Sequence, residues 1–346
     1  MVNYISVKDV FNVDMEPIMG IVIAGTGHFL PDRILTNKDL EQMVDTSDEW
    51  IVTRTGIRER HIAEPETATS DLAVRAGRNA LENAGLSPED LDLIVVSSIT
   101  PDQPTPSTAA IVQNKLGASA TKCMCFDVSA ACAGLLYGLN LVHALLAVGE
   151  RKTALVIGAD KLSYVTNWKD RSTCVLFGDA ASALIVRVDP AADFDCLVGS
   201  EIGADGRFGD ILQIPGFGSA CPATPESLAA CRNSVVMNGP KTFQQAVLAM
   251  TTACRNVLDK TGVKPEQIRW VIPHQANDRI ISSVAEHLSM PDRVYRNVER
   301  CGNTSSASIG ICLDELNRSG CLQRGDFVLA ASFGAGLTWA AEVIRW

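Results

Sequence analysis

Two stretches of the chain repeat one order of polar and apolar positions. Gly85-Leu86-Ser87-Pro88-Glu89-Asp90-Leu91-Asp92 runs into the apolar Leu93-Ile94-Val95-Val96. Gly262-Val263-Lys264-Pro265-Glu266-Gln267-Ile268-Arg269 runs into Trp270-Val271-Ile272. Each reads as a helix stopped by glycine, a Pro-Glu turn and a buried strand. Helical patterns at 71–84 and 241–261 precede the two stops. A second pair follows. Gly134–Val148 is a nearly all-apolar helix before a strand at Arg151–Asp160, and Ala307–Ser319 is a helix before a strand at Asp326–Ser332. Aligning Arg151 with Arg324 sets Cys132 opposite Ser305. A helix apolar on all sides is predicted to be buried. Strands alternating with helices predict α/β layers, with the two apolar helices sandwiched between sheets. The expected organisation is a first half over 19–190 and a second over 191–346. Residues 1–18 mix Lys8, Asp9, Asp14 and Glu16 into apolar positions and end at Pro17. They fit neither a signal sequence nor a membrane span and read as an extension outside the core, with Met19 as an alternative start.

Composition narrows the function classes. The chain has 346 residues, 47% hydrophobic and 20% charged, with net charge −10 and pI about 5.0. An acidic chain without a basic run is a poor partner for nucleic acid or anionic lipid. No apolar stretch is long enough to cross a bilayer. The eleven cysteines are odd in number and contain no CxxC, only the C-x-C of Cys123 and Cys125. That spacing suits neither a zinc site nor a disulfide framework. Free thiols in a reducing, cytoplasmic compartment are expected, most of them acting as small buried hydrophobes.

Four segments carry candidate chemistry. Ser129-Ala130-Ala131-Cys132-Ala133-Gly134 joins a strand over Cys125–Val128 to the first apolar helix. A cysteine at a helix start faces unpaired N–H groups and the positive end of the dipole, which predicts a lowered thiol pKa. The bland reading is one more core cysteine. Pro273-His274-Gln275-Ala276-Asn277 follows the second-half strand, and histidine is the usual proton-transfer or donor side chain there. A structural histidine at a strand-to-helix junction is the alternative. Cys301-Gly302-Asn303-Thr304-Ser305-Ser306-Ala307-Ser308 opens the second apolar helix, where Asn303 serves as an amide donor or simply as a cap. Ser332-Phe333-Gly334-Ala335-Gly336 is a glycine turn that exposes backbone N–H groups to an anion, or a plain hairpin. Cys, His and Asn thus come in order, each at a strand-to-helix junction of a duplicated fold.

With these motifs the chain resembles the β-ketoacyl-acyl-carrier-protein synthase III family of the thiolase-like superfamily. The likeness spans nearly all of 20–346. It includes Asp45-Thr46-Ser47-Asp48-Glu49-Trp50-Ile51-Val52-Thr53-Arg54-Thr55-Gly56-Ile57-Arg58-Glu59-Arg60, the Cys132 segment, Phe177-Gly178-Asp179, the His274 to Asn277 run, Gly302-Asn303-Thr304-Ser305 and the Gly334 turn. The resemblance implies an α/β fold of duplicated thiolase-like halves in five layers, α-β-α-β-α. It implies a decarboxylative condensation of an acyl-CoA primer with malonyl-acyl-carrier-protein to a 3-oxoacyl-carrier-protein, initiating fatty acid or related synthesis without metal or redox cofactor. The implied triad is Cys132, His274 and Asn303, with the backbone N–H groups of Cys132 and Ala335 as the oxyanion hole. Thr46, Trp50, Arg54 and Arg171, the last ahead of a strand at Cys174–Phe177, are the implied CoA contacts. Thr105, Met237, Gly239, Phe243, Ala276, Asn277 and Phe333 are the implied acyl pocket and channel. Arg279 is the implied carrier-protein contact, on a homodimeric enzyme.

Some positions depart from the family pattern. Many members carry a closing Phe where Thr105 stands, so a longer or wider acyl pocket is expected. Ala335 replaces a common Gly without removing its N–H. Gln244 and Glu286 stand where some members are basic, leaving Lys241 and Arg255 to compensate in carrier docking. The stretch 203–236 is longer than the pattern requires and suits a lid or an altered channel wall. Rival readings are a non-elongating acyltransferase of the same fold, a thiolase and a non-catalytic acyl-CoA-binding protein. A thiolase would want a second cysteine where Phe333 stands, and decarboxylation uses both His274 and Asn303.

Overall fold

The computed structural model describes residues 20–118 and 123–346; the extension at 1–18 lies outside them. Nine strands form two main sheets. β1 (Ile21–Phe29), β2 (Leu93–Ser97), β3 (Met124–Val128), β4 (Thr153–Asp160) and β5 (Ala180–Val188) make the first, in the order β1-β5-β4-β2-β3. β6 (Leu197–Ala204), β7 (Ile268–Pro273), β8 (Phe327–Gly334) and β9 (Thr338–Arg345) make the second, in the order β6-β9-β8-β7. The second order repeats the first through its fourth strand. The fifth strand is reduced to one parallel bridge between Val271 and Val294. The link between the sheets runs from Val188 to Leu197.

Seven helices matter to the site: α1 (Asp48–Thr55), α2 (Thr69–Ala84), α3 (Thr108–Leu116), α4 (Gly134–Ala147), α5 (Gly239–Thr261), α6 (Asp278–His287) and α7 (Ser308–Arg318). The repeated stops behave as the sequence predicts. Gly85 and Gly262 end α2 and α5 in left-handed conformation, and short 3-10 turns at Pro88–Asp90 and Pro265–Gln267 lead into β2 and β7.

Strand alternation builds the layers. On β2, Ile94 and Val96 pack outward with Leu72 and Ala76 of α2 and Val112 of α3. Leu93 and Val95 pack inward with Leu135 and Leu139 of α4 and Ile309 and Leu313 of α7. Ile272, Val328 and Ala340 of the second sheet close the same central core. On the far side, Val271, Leu329 and Val343 pack against α5 and α6 through Met250, Val257, Ile280 and Val284. The result is the expected five layers, and strands buried on both faces account for the unbroken apolar runs.

Four sequence expectations are corrected. The two helix starts correspond one residue later than the alignment gave. Ala131 and Ser305 share a positive φ of 47° and 51°, and both head 3-10 turns, so Cys132 pairs with Ser306 rather than Ser305. Residues 174–176 form turns rather than a strand, with the Cys174 and Leu176 N–H groups donating to the Asp170 and Thr173 carbonyls, and Phe177 makes a single parallel bridge to Asn303. α4 is buried only along part of its surface: Leu141 and the following Val148 are exposed, beside the half-exposed edge strand β3. Of the eleven cysteines, all free, five are buried, so fewer than expected act as core hydrophobes.

Candidate active site

Cys132 sits on the 3-10 turn Ala131–Ala133 that runs into α4. A left-handed alanine at Ala131 is strained and persists only where its surroundings over-determine it. β8 supplies them. Ser332 Oγ donates to the Cys132 carbonyl at 2.6 Å, and Thr338 Oγ1 donates to the Ala130 carbonyl at 2.9 Å. A Cβ at Gly334 would lie 2.7 Å from the Cys132 nitrogen, so glycine is what lets the strand end approach that amide.

The thiol hydrogen-bonds Ser305 Oγ at 3.5 Å. Burial pushes the Cys132 thiol up to about 12; the Asp160 charge adds to the rise and Ser305 opposes it. This reverses the lowered pKa expected from the helix start, and magnitudes say why. A helix terminus stabilises a charge by about 0.3–2 kcal/mol. The climb from 9.0 to about 12 corresponds to about 4 kcal/mol. The resting thiol therefore holds its proton. Asp160 itself is fully buried and accepts from Ile99 N–H at 2.8 Å and Ser306 Oγ at 2.7 Å, tying the loop after β2 to the start of α7. Burial raises its pKa against those hydrogen bonds.

His274 follows β7 and is 3% exposed. Burial lowers its pKa to about 3, so the ring is neutral at physiological pH. Its Nδ1 lies 2.7 Å from Ser308 Oγ, the first residue of α7. A hydroxyl donating to Nδ1 leaves the ring proton on Nε2. Asn303 is held by its backbone between the Leu176 carbonyl and the Gly178 N–H. Its Oδ1 accepts the Ser305 N–H at 2.9 Å, which leaves Nδ2 as the end free to donate. Ser305 thus touches both the Cys132 thiol and Asn303, and Ser308 touches His274: one helix start links all three predicted residues.

The predicted CoA residues gather around Trp50 on α1. The Arg54 and Arg171 guanidinium carbons stand 5.8 and 5.3 Å from its ring centroid. Arg171 also donates to the Asp45 carbonyl at 2.6 Å, and the buried Thr46 hydroxyl has no partner among the described residues. Asn277 caps α6 and donates to the Arg54 carbonyl at 3.0 Å, joining α1 to α6. Arg279 is exposed and stacks 5.4 Å from the Phe243 ring centroid.

A cavity of about 220 Å³ opens beside Cys132 and Ala335. Its walls are apolar: Ile99, Leu162, Phe177, Leu212, Ile214 and Val235. None of the seven predicted pocket and channel residues lines it. Thr105 is exposed and away from the cavity of its own chain. Phe243, Ala276 and Phe333 belong to the outer core of the second sheet, because on β8 the alternation turns Phe333 outward with Leu329 and Ala331. Met237 packs in the cluster around Leu35 and Trp50, and Gly239 begins α5 beside it. The wall comes instead from a two-stranded ribbon, Leu212–Gln213 against Val236–Met237, at the base of the long 203–236 stretch. The 203–236 stretch thus supplies part of a wall, one of the two roles expected for it, but sequence reading named none of its lining residues, and it missed the parts played by Ser305, Ser308 and Asp160. The serines lay in a run already noted; two-residue strands leave no periodic signal.

Comparison with known proteins bears on the whole arrangement. The family 3-oxoacyl-acyl-carrier-protein (ACP) synthase III matches residues 126–206, and its C-terminal counterpart matches 258–346. The chain is 50% identical over 326 residues to a beta-ketoacyl-acyl-carrier-protein synthase III of Caldanaerobacter subterraneus subsp. tengcongensis, covering 94% of this chain and 97% of the relative. The crystal structure of the 3-oxoacyl-acyl-carrier-protein synthase III of Aquifex aeolicus superposes with a TM-score of 0.85 at 44% identity, covering 94% of this chain and 100% of that one. The Pseudomonas aeruginosa enzyme of the same description gives 0.86 at 39% identity, covering 94% and 98%. Shared identity along nearly the full length, on a shared duplicated five-layer fold, means that this chain belongs to the 3-oxoacyl-acyl-carrier-protein synthase III family.

Proposed function

We propose that the chain joins an acyl-CoA primer to malonyl-acyl-carrier-protein, with Cys132, His274 and Asn303 as its working residues. Cys132 sulfur attacks the primer thioester carbonyl, its proton leaves with CoA as the free thiol, and the acyl group stays on Cys132. Malonyl-carrier then loses CO₂. His274 Nε2–H and Asn303 Nδ2–H donate to its thioester oxygen as the enolate forms. The enolate carbon attacks the acyl-Cys132 carbonyl, whose oxyanion takes hydrogen bonds from the Cys132 and Ala335 N–H groups. Collapse releases 3-oxoacyl-carrier, and the Cys132 sulfur regains a proton from solvent. The balance is acyl-CoA plus malonyl-carrier plus one proton giving 3-oxoacyl-carrier, CO₂ and CoA. The departing CO₂ drives the step, so the reading asks for no metal or redox group. A neutral His274 suits it, because a neutral imidazole donates from one nitrogen without surrendering a charge.

The linkage of all three side chains by Ser305 and Ser308 carries this reading. In the same proposal Trp50, Arg54, Arg171 and Thr46 bind CoA, with guanidinium groups stacking on a flat heterocycle and facing phosphates. Met237, Gly239, Phe243, Ala276, Asn277 and Phe333 line the approach of the pantetheine arm, and Arg279 meets the acidic carrier. A second copy of the chain covers the exposed edge strand β3 and the exposed Leu141 and Val148, since monomers rarely leave such a face open. Eleven free thiols suit a reducing cytoplasm. Among the described residues no helix is long and apolar enough to cross a membrane. The test is CO₂ release from malonyl-carrier in the presence of acyl-CoA, with Cys132→Ala as control. Acyl transfer to water or to another acceptor without CO₂ release would sink the condensation.

A further inference from the structure

We propose that the primer is a medium, apolar acyl chain of about six to eight carbons, held in the cavity that the 203–236 stretch helps to wall beside Cys132. The inference rests on the condensation reading, because it takes Cys132 as the acyl carrier.

Size comes first. An apolar cavity of about 150 Å³ accommodates one benzene, six carbons. By the same measure the 220 Å³ here holds about half as much again, which sets the upper end near eight. An acetyl group would put one methyl in that space and leave Ile99, Leu162 and Val235 without the dispersion contacts that a longer chain makes. Water is a poor substitute, since it needs several polar partners and this lining offers chiefly Gln213 and Ser305.

Chemistry comes second. Leu162, Phe177, Leu212 and Val235 are at least nine-tenths buried except for Leu212, and all four belong to one apolar cluster. A carboxylate or ammonium at the chain end would be desolvated there without a partner. This excludes dicarboxylic primers such as succinyl. Each methylene taken into such a lining is worth about 0.8 kcal/mol, roughly fourfold. Ordering a flexible chain takes back part of that gain. A preference of at least tenfold for octanoyl over acetyl is left.

Architecture comes third. Leu212 and Ile214 on one side and Val235 on the other flank the ribbon pairing of Gln213 with Val236 and Leu212 with Met237. The two ends of the long stretch, at 212–214 and 235, therefore supply part of the cavity wall. They are determinants of chain length rather than surface decoration.

The experiment is a competition. Acetyl-, octanoyl- and succinyl-CoA at equal concentration are mixed with the full-length enzyme, and the acyl group on Cys132 is read by intact mass; kcat/KM for each follows by CoA release. The expected result is octanoyl at least tenfold over acetyl, with succinyl last. Acetyl equal to or ahead of octanoyl overturns the proposal and leaves the condensation reading standing. No label from any acyl-CoA overturns both. Val235→Phe narrows the cavity and is expected to lower the octanoyl-to-acetyl ratio at least tenfold. Ile99→Phe does the same from a less buried position and serves where Val235→Phe does not fold. An unchanged ratio in the folded variant overturns the assignment of the chain to this cavity.

Discussion

Replacing Glu342 by Gln should stabilise the protein by an amount that grows with pH. Glu342 lies on β9 between Ala340 and Ile344, whose side chains face the central helical layer, and it is fully buried. Neither carboxyl oxygen has a hydrogen-bond partner among the described residues. Burial alone holds its pKa well above the ordinary glutamate value of 4.5. In the unfolded chain the group ionises from pH 4.5 upward, while the folded protein keeps the proton. Stability contributed by Glu342 is therefore complete below pH 4.5 and declines as pH rises toward the folded pKa, by about 1.4 kcal/mol per pH unit. Between pH 4.5 and 7.5 the loss reaches about 4 kcal/mol where the folded carboxyl stays neutral throughout. Gln has the same shape and does not ionise, so the variant lacks this decline. The measurement is urea unfolding of both proteins at pH 5, 6, 7 and 8 and fixed chain concentration. The difference in unfolding free energy should widen in favour of Glu342→Gln as pH rises, by at most about 1.4 kcal/mol per pH unit. A difference that stays constant with pH would refute the buried, protonated Glu342, and so would one that narrows.

Four further outcomes test the site. With the Cys132 thiol near 12, its iodoacetamide alkylation should rise about tenfold per pH unit from pH 7 to 9; a plateau below pH 9 contradicts the burial argument. His274→Ala and Asn303→Ala should each slow CO₂ release from malonyl-carrier by about 10²–10³-fold, as loss of one such donor does elsewhere, while acyl transfer to Cys132 is much less affected. Because His274 titrates near 3, the decarboxylation rate should show no break around pH 6.5; a break there would assign it a proton-shuttling role instead. Trp50→Ala should raise KM for acyl-CoA several-fold through lost stacking worth about 0.5–2 kcal/mol, with kcat nearly unchanged.

The two repeats were legible because their signals are local: a glycine stop, a Pro-Glu turn and an apolar run sit within a dozen residues at 85–96 and again at 262–272. The order of Cys132, His274 and Asn303 was legible for the same reason. What escaped depends on distance. The cavity wall needs Leu212 to pair with Met237 across the long stretch, through strands of two residues. The central facing of Glu342 is hidden because a charged residue in a strand reads as solvent-facing until a second layer covers it. The one-residue slip in matching Cys132 arose because two surface arginines were aligned, whereas the strained turns at Ala131 and Ser305 define the true correspondence.

That corrected correspondence explains why only one of two equivalent helix starts offers its amide to an anion. The last residues of β4 and β8 are equivalent, and each meets the helix start of the opposite half. Asp160, ending β4, accepts the Ser306 N–H at 3.2 Å. Gly334, ending β8, faces the Cys132 N–H with no side chain at all. Two residues earlier the roles exchange: Ser332 Oγ holds the Cys132 carbonyl, while Gly158 stands bare against the Ser306 carbonyl. Ser97, ending β2, corresponds to His274, just past the end of β7, and again each has its counterpart. Gly134 makes room for Ser97 at the start of α4, and Ser308 hydrogen-bonds His274 at the start of α7. At each matched pair one half satisfies the backbone or fixes a side chain, and the other leaves a group open. Of the groups left open, the Cys132 N–H is the one beside the cavity, while Ser308 fixes His274 in the other half, so a duplicated frame acquires a single site by complementary choices at a few paired positions.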